Sequence, residues 1–456
     1  MMPTSIEIIK KLRKAGFEAY WAGGCVRDIL LGIKPKDFDI VTSAKPDEIE
    51  NIIEHTIPVG KQFGVILAVE GEHHFEIATF RSDSGYSDGR RPDAVTFTSA
   101  KEDAFRRDFT INGMFYDPLT DKVMDYVGGQ KDLEAHLIRF IGTPHERILE
   151  DHLRVLRAIR FKNEFDFQYE PKTYDALIKH AAMVIDKVSN ERIGAELNKM
   201  MMSKNAVKAF EDMEDTGVLK IILPEILLMK GVAQPYNYHQ EGDVWIHTMR
   251  ALKSLPETAS LPVRWAVLLH DSGKPETFKL KERIRFDHHV ETSRKIAEKI
   301  LVRLKFPRKF IDEICWLVEH HMMVDPLVTM PEGRKMKWFL HPWFLNLMQV
   351  FKADCEGTIP CDLSMYERIF TLYHEAVAKM PHEPAPLLKG EEVIKELGIK
   401  PGKLVGEILD QLREKQLGGE IKNKREALKW LKDFFYAGLT KIPTAKTPLA
   451  KSRRKS

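Results

Sequence analysis

The sequence predicts an α+β protein, with a head built around one small mixed sheet and a mostly α-helical remainder. Three observations carry this. Up to about residue 135, short β-branched and aromatic runs alternate with glycine turns and brief helical stretches. From residue 144 onward strand signals nearly vanish and apolar residues recur at helical spacing. The chain's 456 residues also exceed what one core accommodates, since single cores stop growing near roughly 250 to 300 residues.

Taken in order, residues 19–22, 37–42, 64–69 and 75–80 read as strands, and residues 46–54 and 104–114 as short helices. A helical run at 26–31 follows the Gly23-Gly24 turn. Later helices are expected at 150–161, 193–202 and 293–304, with Gly or Pro marking seams near 229–235 and 381–386. No internal repeat is visible.

The formal net charge of +3 is too small to announce a nucleic-acid binder by itself. Apolar runs fall far short of the roughly 20 residues that cross a bilayer, so no membrane association is expected. The start, MMPTSIEIIKKLRK, shows no apolar core followed by a small-residue cleavage site, which makes cytoplasm the expected location. Cys25, Cys315, Cys355 and Cys361 form no C-x-x-C pair and are expected to be reduced core residues. Residues 441–456 carry Lys441, Lys446, Lys451, Arg453, Arg454 and Lys455 without an acid, and read as a basic disordered tail.

Asp37 and Asp39 flank Phe38. On a strand, residues two apart share a face, so their carboxylates would project together and repel. A divalent cation relieves that repulsion, and Mg²⁺ takes one or two carboxylates plus phosphate oxygens and waters. D-x-D also occurs in turns and on solvated strands. Glu76 could be a third ligand or an exposed strand glutamate. The Gly23-Gly24 turn lets backbone amides approach a phosphate, and Arg27 adds charge beside it. Together these suggest a triphosphate and its metal held side by side for nucleotidyl transfer.

Four stretches, GGCVRD with DFD, RRDFTIN (106–112), ERILEDHLRVLRAIRF (146–161) and SNERIGAEL (189–197), resemble in that order the motifs of one family. It is the class II branch of the polymerase-β-type nucleotidyltransferases, which includes bacterial CCA-adding tRNA nucleotidyltransferases and poly(A) polymerases. The resemblance implies a polymerase-β-like catalytic head over 1–140 and a helical neck over 141–229. It implies Mg²⁺ at Asp37 and Asp39 with Glu76 beside them. It places Gly24, Arg27, Arg106, Arg107, Asp108 and Asn112 around the nucleotide. It gives Asp151 and Arg154 the reading of the base, with Arg157 and Arg160 nearer the phosphates or supporting the site. On a helix starting near residue 149 these four would form a drifting polar stripe, a pattern a solvated face also shows. A carboxylate acceptor beside a guanidinium donor can nonetheless match the Watson-Crick edges of C and A. Residues 81–95, RSDSGYSDGRRPDAV, read as a mobile loop, which the resemblance links to use of ATP.

In the helical half, His247, His270, Asp271, His289, His321 and Asp354 fall within about a hundred residues. VLLHDSGK (267–274) resembles the HD phosphohydrolase signature. That resemblance implies an HD domain over 230–375 with His247, His270, Asp271 and Asp354 holding a divalent metal of unknown identity. His289 and His321 would suit a second ion. Residues 387–431 resemble the family's C-terminal helical segment, expected to touch tRNA over 376–440; its turn at GIKPGKLVGEIL suits an RNA phosphate or plain helix packing equally.

The expected activity is therefore template-independent addition of CCA to tRNA 3′ ends from CTP and ATP, with phosphohydrolase chemistry in the HD segment. Rival expectations are an enzyme adding only the terminal A, and a poly(A) polymerase, whose signature residues 58–69 only partly resemble. Others are an HD phosphohydrolase with an RNA-binding N-terminal half, and a non-catalytic RNA-binding protein.

Overall fold

The structure is a computed structural model and describes residues 1–85, 92–380 and 382–439. The basic tail expected at 441–456 and the centre of the expected loop, residues 86–91, lie outside the described residues.

Nine strands fall in the first 124 residues: β1 (Ala19–Ala22), β2 (Asp39–Thr42), β3 (Thr56–Gly60), β4 (Val65–Glu70), β5 (His73–Thr79), β6 (Arg81–Ser84), β7 (Ala94–Phe97), β8 (Phe115–Asp117) and β9 (Lys122–Met124). Seven form one mixed sheet in the order β3-β4-β5-β2-β1-β8-β9, while β6 and β7 pair separately. Only β2 and β5 run parallel, with Ile40 level with Ile77; the other neighbours are antiparallel. Central β2 is covered on both faces, so Ile40, Val41 and Thr42 are all buried. Ala22, Val41, Phe80, Ala100, Ala104 and Phe115 pack as one core cluster. Elsewhere Trp21 stacks on Tyr116 and donates its indole N–H to Ser5 Oγ at 3.0 Å, which anchors the helix Met2–Lys14.

Three expectations are corrected. The strand begins at Asp39, not at 37, so Asp37 stands on the extended approach to it. The helix expected at 104–114 is broken: Ala100–Phe105 ends before the RRD triplet and a single 3₁₀ turn, Thr110–Asn112, follows. The helix expected at 150–161 is also two, Pro144–Glu150 and Arg154–Phe165, with Asp151 extended at the junction (φ −150°). Its carboxylate accepts the amide N–H of Leu153 at 3.1 Å, a local bond that competes with helical pairing. The ends of the expected loop are likewise ordered, as the hairpin β6–β7.

The chain divides into two compact units, Met1–Val318 with Gly357–Ile359, and Glu319–Glu356 with Pro360 onward. Beyond residue 124, the regular structure of the first unit's described residues is helical apart from two short two-stranded pairings, 137–138 with 168–169 and 278–280 with 284–286. In the second unit the helices Glu332–Phe339 and Lys403–Leu417 meet backbone to backbone: a Cβ on Gly333 would lie 1.8 Å from the Glu414 carbonyl oxygen. Leu388, Val393, Ile408, Leu412 and Leu431 form a separate core there. Cys25 and Cys315 are buried as expected, Cys355 is half-buried, and Cys361 is exposed, contrary to expectation; all four are free thiols.

Candidate active site and a second, histidine-lined site

The parallel pairing of β2 with β5 puts Asp39 level with Glu76, one residue before Ile40 and Ile77. Phe38 is buried against Trp21 with ring centroids 4.8 Å apart, which turns the flanking aspartates outward. Asp37 and Asp39 both line a cavity of about 660 Å³. Enclosure, then Glu76 and Asp37, push the Asp39 carboxyl up to about 6 against the opposing pull of Arg107. Carboxylates gathered this closely repel one another, and a divalent cation relieves that repulsion. Glu76 itself is not among the residues lining the cavity.

Gly23 opens the helix Gly24–Leu30 at φ +70°, ψ −127°, a conformation that suits glycine alone, and a Cβ there would lie 3.2 Å from Arg107 Nη1. Gly24 and Arg27 line the same cavity. Arg27 is buried against Phe161 and Phe165 and donates to Asn112 Oδ1 at 2.7 Å. Asn112 in turn donates to Asp108 Oδ1 at 3.2 Å, and Arg157 donates twice to Asp108 Oδ2, at 2.8 and 2.5 Å. Burial would raise the Asp108 carboxyl, but Arg157 and Arg154 overcome it and hold it at about 2. One continuous relay, Arg27–Asn112–Asp108–Arg157, therefore joins the glycine turn to the helix Arg154–Phe165.

Arg106 and Arg107 face the cavity from the end of the helix Ala100–Phe105. Both are gripped by Asp103, which has no solvent exposure: Arg106 Nε donates to Oδ1 at 2.8 Å and Arg107 Nη2 to Oδ2 at 3.1 Å, while the Arg81 amide donates to Oδ1 at 3.2 Å. Asp151 and Arg154 line the cavity too. Arg192 holds Asp151 in a two-pronged pair at 3.1 and 2.6 Å, and Arg154 donates to Glu150 and to the Arg147 carbonyl. Arg160 is clamped by Glu196 at 2.6 Å and Glu164 at 2.8 Å, with its guanidinium 3.9 Å from the Phe161 ring centroid. The sequence reading missed Asp103, Arg192 and Glu196. SNERIGAEL contained the last two, but nothing in the local pattern names their partners.

A second cluster lies in the first unit, with His270 and Asp271 just beyond the helix Leu261–Leu269, His247 on Val244–Ser254 and His289 at the start of His289–Arg303. His270 Nδ1 lies 2.8 Å from the Val267 carbonyl and His289 Nδ1 3.0 Å from that of Phe286. A carbonyl only accepts, so both Nδ1 atoms carry a proton, and in the neutral ring Nε2 is the nitrogen able to ligate a metal. His270 Nε2 and His247 Nε2 face each other at 3.3 Å, with Asp271 Oδ2 at 3.2 and 3.8 Å from them. His289 Nε2 is 3.6 Å from Asp271 Oδ1. Asp271 is buried; desolvation alone would raise its carboxyl, but His270 and Lys274 hold it well below its ordinary range. His321 and Asp354, also expected here, belong to the second unit. Glu241 was not foreseen: its enclosed carboxylate accepts from His239 Nδ1 at 2.7 Å, His247 Nδ1 at 3.1 Å and the Ile359 amide at 2.7 Å.

Against known proteins, residues 19–139 match a family model described as the poly A polymerase head domain. Residues 166–229 match a probable RNA- and SrmB-binding site of polymerase A, and 285–431 a putative tRNA nucleotidyltransferase domain 2. A CCA-adding enzyme of Ligilactobacillus salivarius is 30% identical over 431 residues, 93% of this chain and 94% of that one. The chain belongs to the CCA-adding enzyme family. A Staphylococcus aureus family member is 30% identical over 434 residues, covering 93% of this chain and 96% of its own length. Among solved structures, the CCA-adding enzyme of Bacillus stearothermophilus in complex with CTP superposes with a TM-score of 0.70 at 26% identity, covering 96% and 98% of the two chains. A Thermotoga maritima family member complexed with tRNA shares the fold at a TM-score of 0.55 and 23% identity, over 94% of each chain. The mixed-sheet head expected from the motifs is the head of this family, and the chain is a nucleotidyltransferase. Among the described residues no helix is long and apolar enough to cross a membrane.

Proposed function

We propose that this chain adds CCA to the 3′ end of tRNA from CTP and ATP, choosing each nucleotide with protein groups alone. One observation carries the reading: the Asp37–Asp39 pair and the Asp151–Arg154 pair line a single cavity. The three carboxylates fit Mg²⁺, because their mutual repulsion, which helps push the Asp39 carboxyl up to about 6, is relieved by a divalent cation. Mg²⁺ held by Asp37 and Asp39, with Glu76 supporting, would lower the pKa of the attacking 3′-hydroxyl and stabilise the leaving pyrophosphate.

The chain's own groups do the rest. Arg106 and Arg107, fixed by Asp103, present guanidinium charge to the phosphates, and the Gly23-Gly24 backbone allows close approach. Asp151 keeps an acceptor position on Oδ2 beyond its bonds from Arg192 and the Leu153 amide, and accepts the exocyclic amino group that cytosine and adenine share. Arg154 donates to the ring acceptor beside that group. Arg157 and Arg160, each engaged by a carboxylate, line the same cavity and hold its wall in place.

The test is incorporation on a tRNA ending at the discriminator base, with CTP and ATP supplied separately and together. Two C and then one A are expected; addition of A alone would move the chain to the A-adding branch. Asp39→Ala should abolish incorporation, and persistence of incorporation would remove Asp39 from the chemistry.

A second reading rests on the Nε2 atoms of His247 and His270 beside the buried Asp271 carboxylate, a donor set suited to a first-row divalent ion, with His289 Nε2 at 3.6 Å from the other Asp271 oxygen. This supports a metal-dependent phosphohydrolase activity in the same chain. Asp271→Ala should remove phosphatase activity on a generic phosphomonoester while sparing nucleotide incorporation.

A further inference from the structure

We infer that Glu241 is a positioning residue for this histidine-lined site, fixing the tautomer and strengthening the donor character of His247; the inference rests on the second reading above. The three imidazoles are not supported alike. His270 and His289 give their Nδ1–H to neutral backbone carbonyls, whereas Nδ1 of His247 faces a carboxylate. A carboxylate behind an imidazole fixes which nitrogen carries the proton and makes the opposite nitrogen a better ligand.

The setting of Glu241 fits that task. Its side chain has no solvent exposure, and its Oε1 is shared by two imidazoles, His239 at 2.7 Å and His247 at 3.1 Å. Its Oε2 accepts the Ile359 amide at 2.7 Å, and the Gln240 amide returns a bond to the Ile359 carbonyl at 2.9 Å. The carboxylate is therefore held by backbone on one side and by His239 on another, so His247 is the element it orients. With both imidazoles neutral, these three donors bring no formal charge to an enclosed anion. Enclosed anions require compensation, and a divalent ion held by His247 Nε2 would supply it from the far side of one ring.

The test uses the full chain carrying Asp39→Ala, which silences the carboxylate site of the head, and Co²⁺ as the probe, followed by calorimetry and by its visible absorption bands. A band that His247→Ala removes is expected in this parent. Glu241→Gln should weaken Co²⁺ binding about 10- to 100-fold and shift the band, since lost support behind a ligating histidine has that effect. Glu241→Asp, which keeps the charge but shortens its reach, should fall between them and carries the test if Glu241→Gln does not fold. Parent-like affinity and an unchanged band in the folded Glu241 variants would overturn the inference and leave the metal site standing. A parent with no band sensitive to His247→Ala would overturn the second reading, and this inference with it.

Discussion

Asp108 serves as both an anchor and a stability switch. Its carboxyl is held at about 2 by Arg157 and Arg154 against the opposing effect of burial. A folded-state pKa below the unfolded value of about 3.9 stabilises the fold above that value, and the contribution disappears as pH falls through the folded pKa. Asp108→Asn is therefore expected to cost about 2 kcal/mol at pH 7, with the gap to the parent closing between about pH 4 and pH 2. Urea denaturation at stepped pH reads this directly, and a gap unchanged at pH 2 would contradict it. At this scale Asp37 and Asp39 stood out in the sequence as a concentration of charge beside a glycine turn, and the structure brings both to one cavity. Asp103, Arg192 and Glu241 were not. Asp103 looks like any acid in a short helix, and Glu241 acquires its meaning from an amide 118 residues away.

Helix spacing read well where packing alone decides it, as in Asn190–Met201 and His289–Arg303. It misread EDHLRVLRAIRF, since helical periodicity runs through Asp151 unbroken while the side chain of that residue closes its own turn on Leu153. The short strands β3, β8 and β9 also escaped notice, being three to five residues long and lacking clean alternation. The glycine-mediated crossing in the second unit makes a prediction at this level. Gly333→Ala must push Lys403–Leu417 away from Glu332–Phe339, because its Cβ would overlap the Glu414 carbonyl. A loss of about 1 to 3 kcal/mol is expected, as for other overpacked contacts. Amide hydrogen exchange should speed up in those two helices and stay unchanged in β1 to β5.

For the whole chain, a net charge of +3 conceals a cavity ringed by Arg27, Arg81, Arg106, Arg107, Arg154 and Arg157. Binding of a polyanion by such a surface weakens as salt competes for the phosphates. Incorporation at subsaturating tRNA is expected to fall about tenfold or more between roughly 50 and 200 mM KCl. Saturating tRNA should restore the rate, and a salt-indifferent rate would argue against a backbone-led grip. The parallel pairing of β2 with β5 has a further effect. Asp39 and Glu76 are far apart along the chain and become neighbours only when β5 docks beside β2, next to β4. During synthesis, a ribosome that has released only the first seventy residues has delivered both aspartates without their third acidic companion. On the proposed reading, the growing polypeptide would gain its complete acidic cradle only when the sheet closes, and an unfinished head would have no means to activate a stray RNA end.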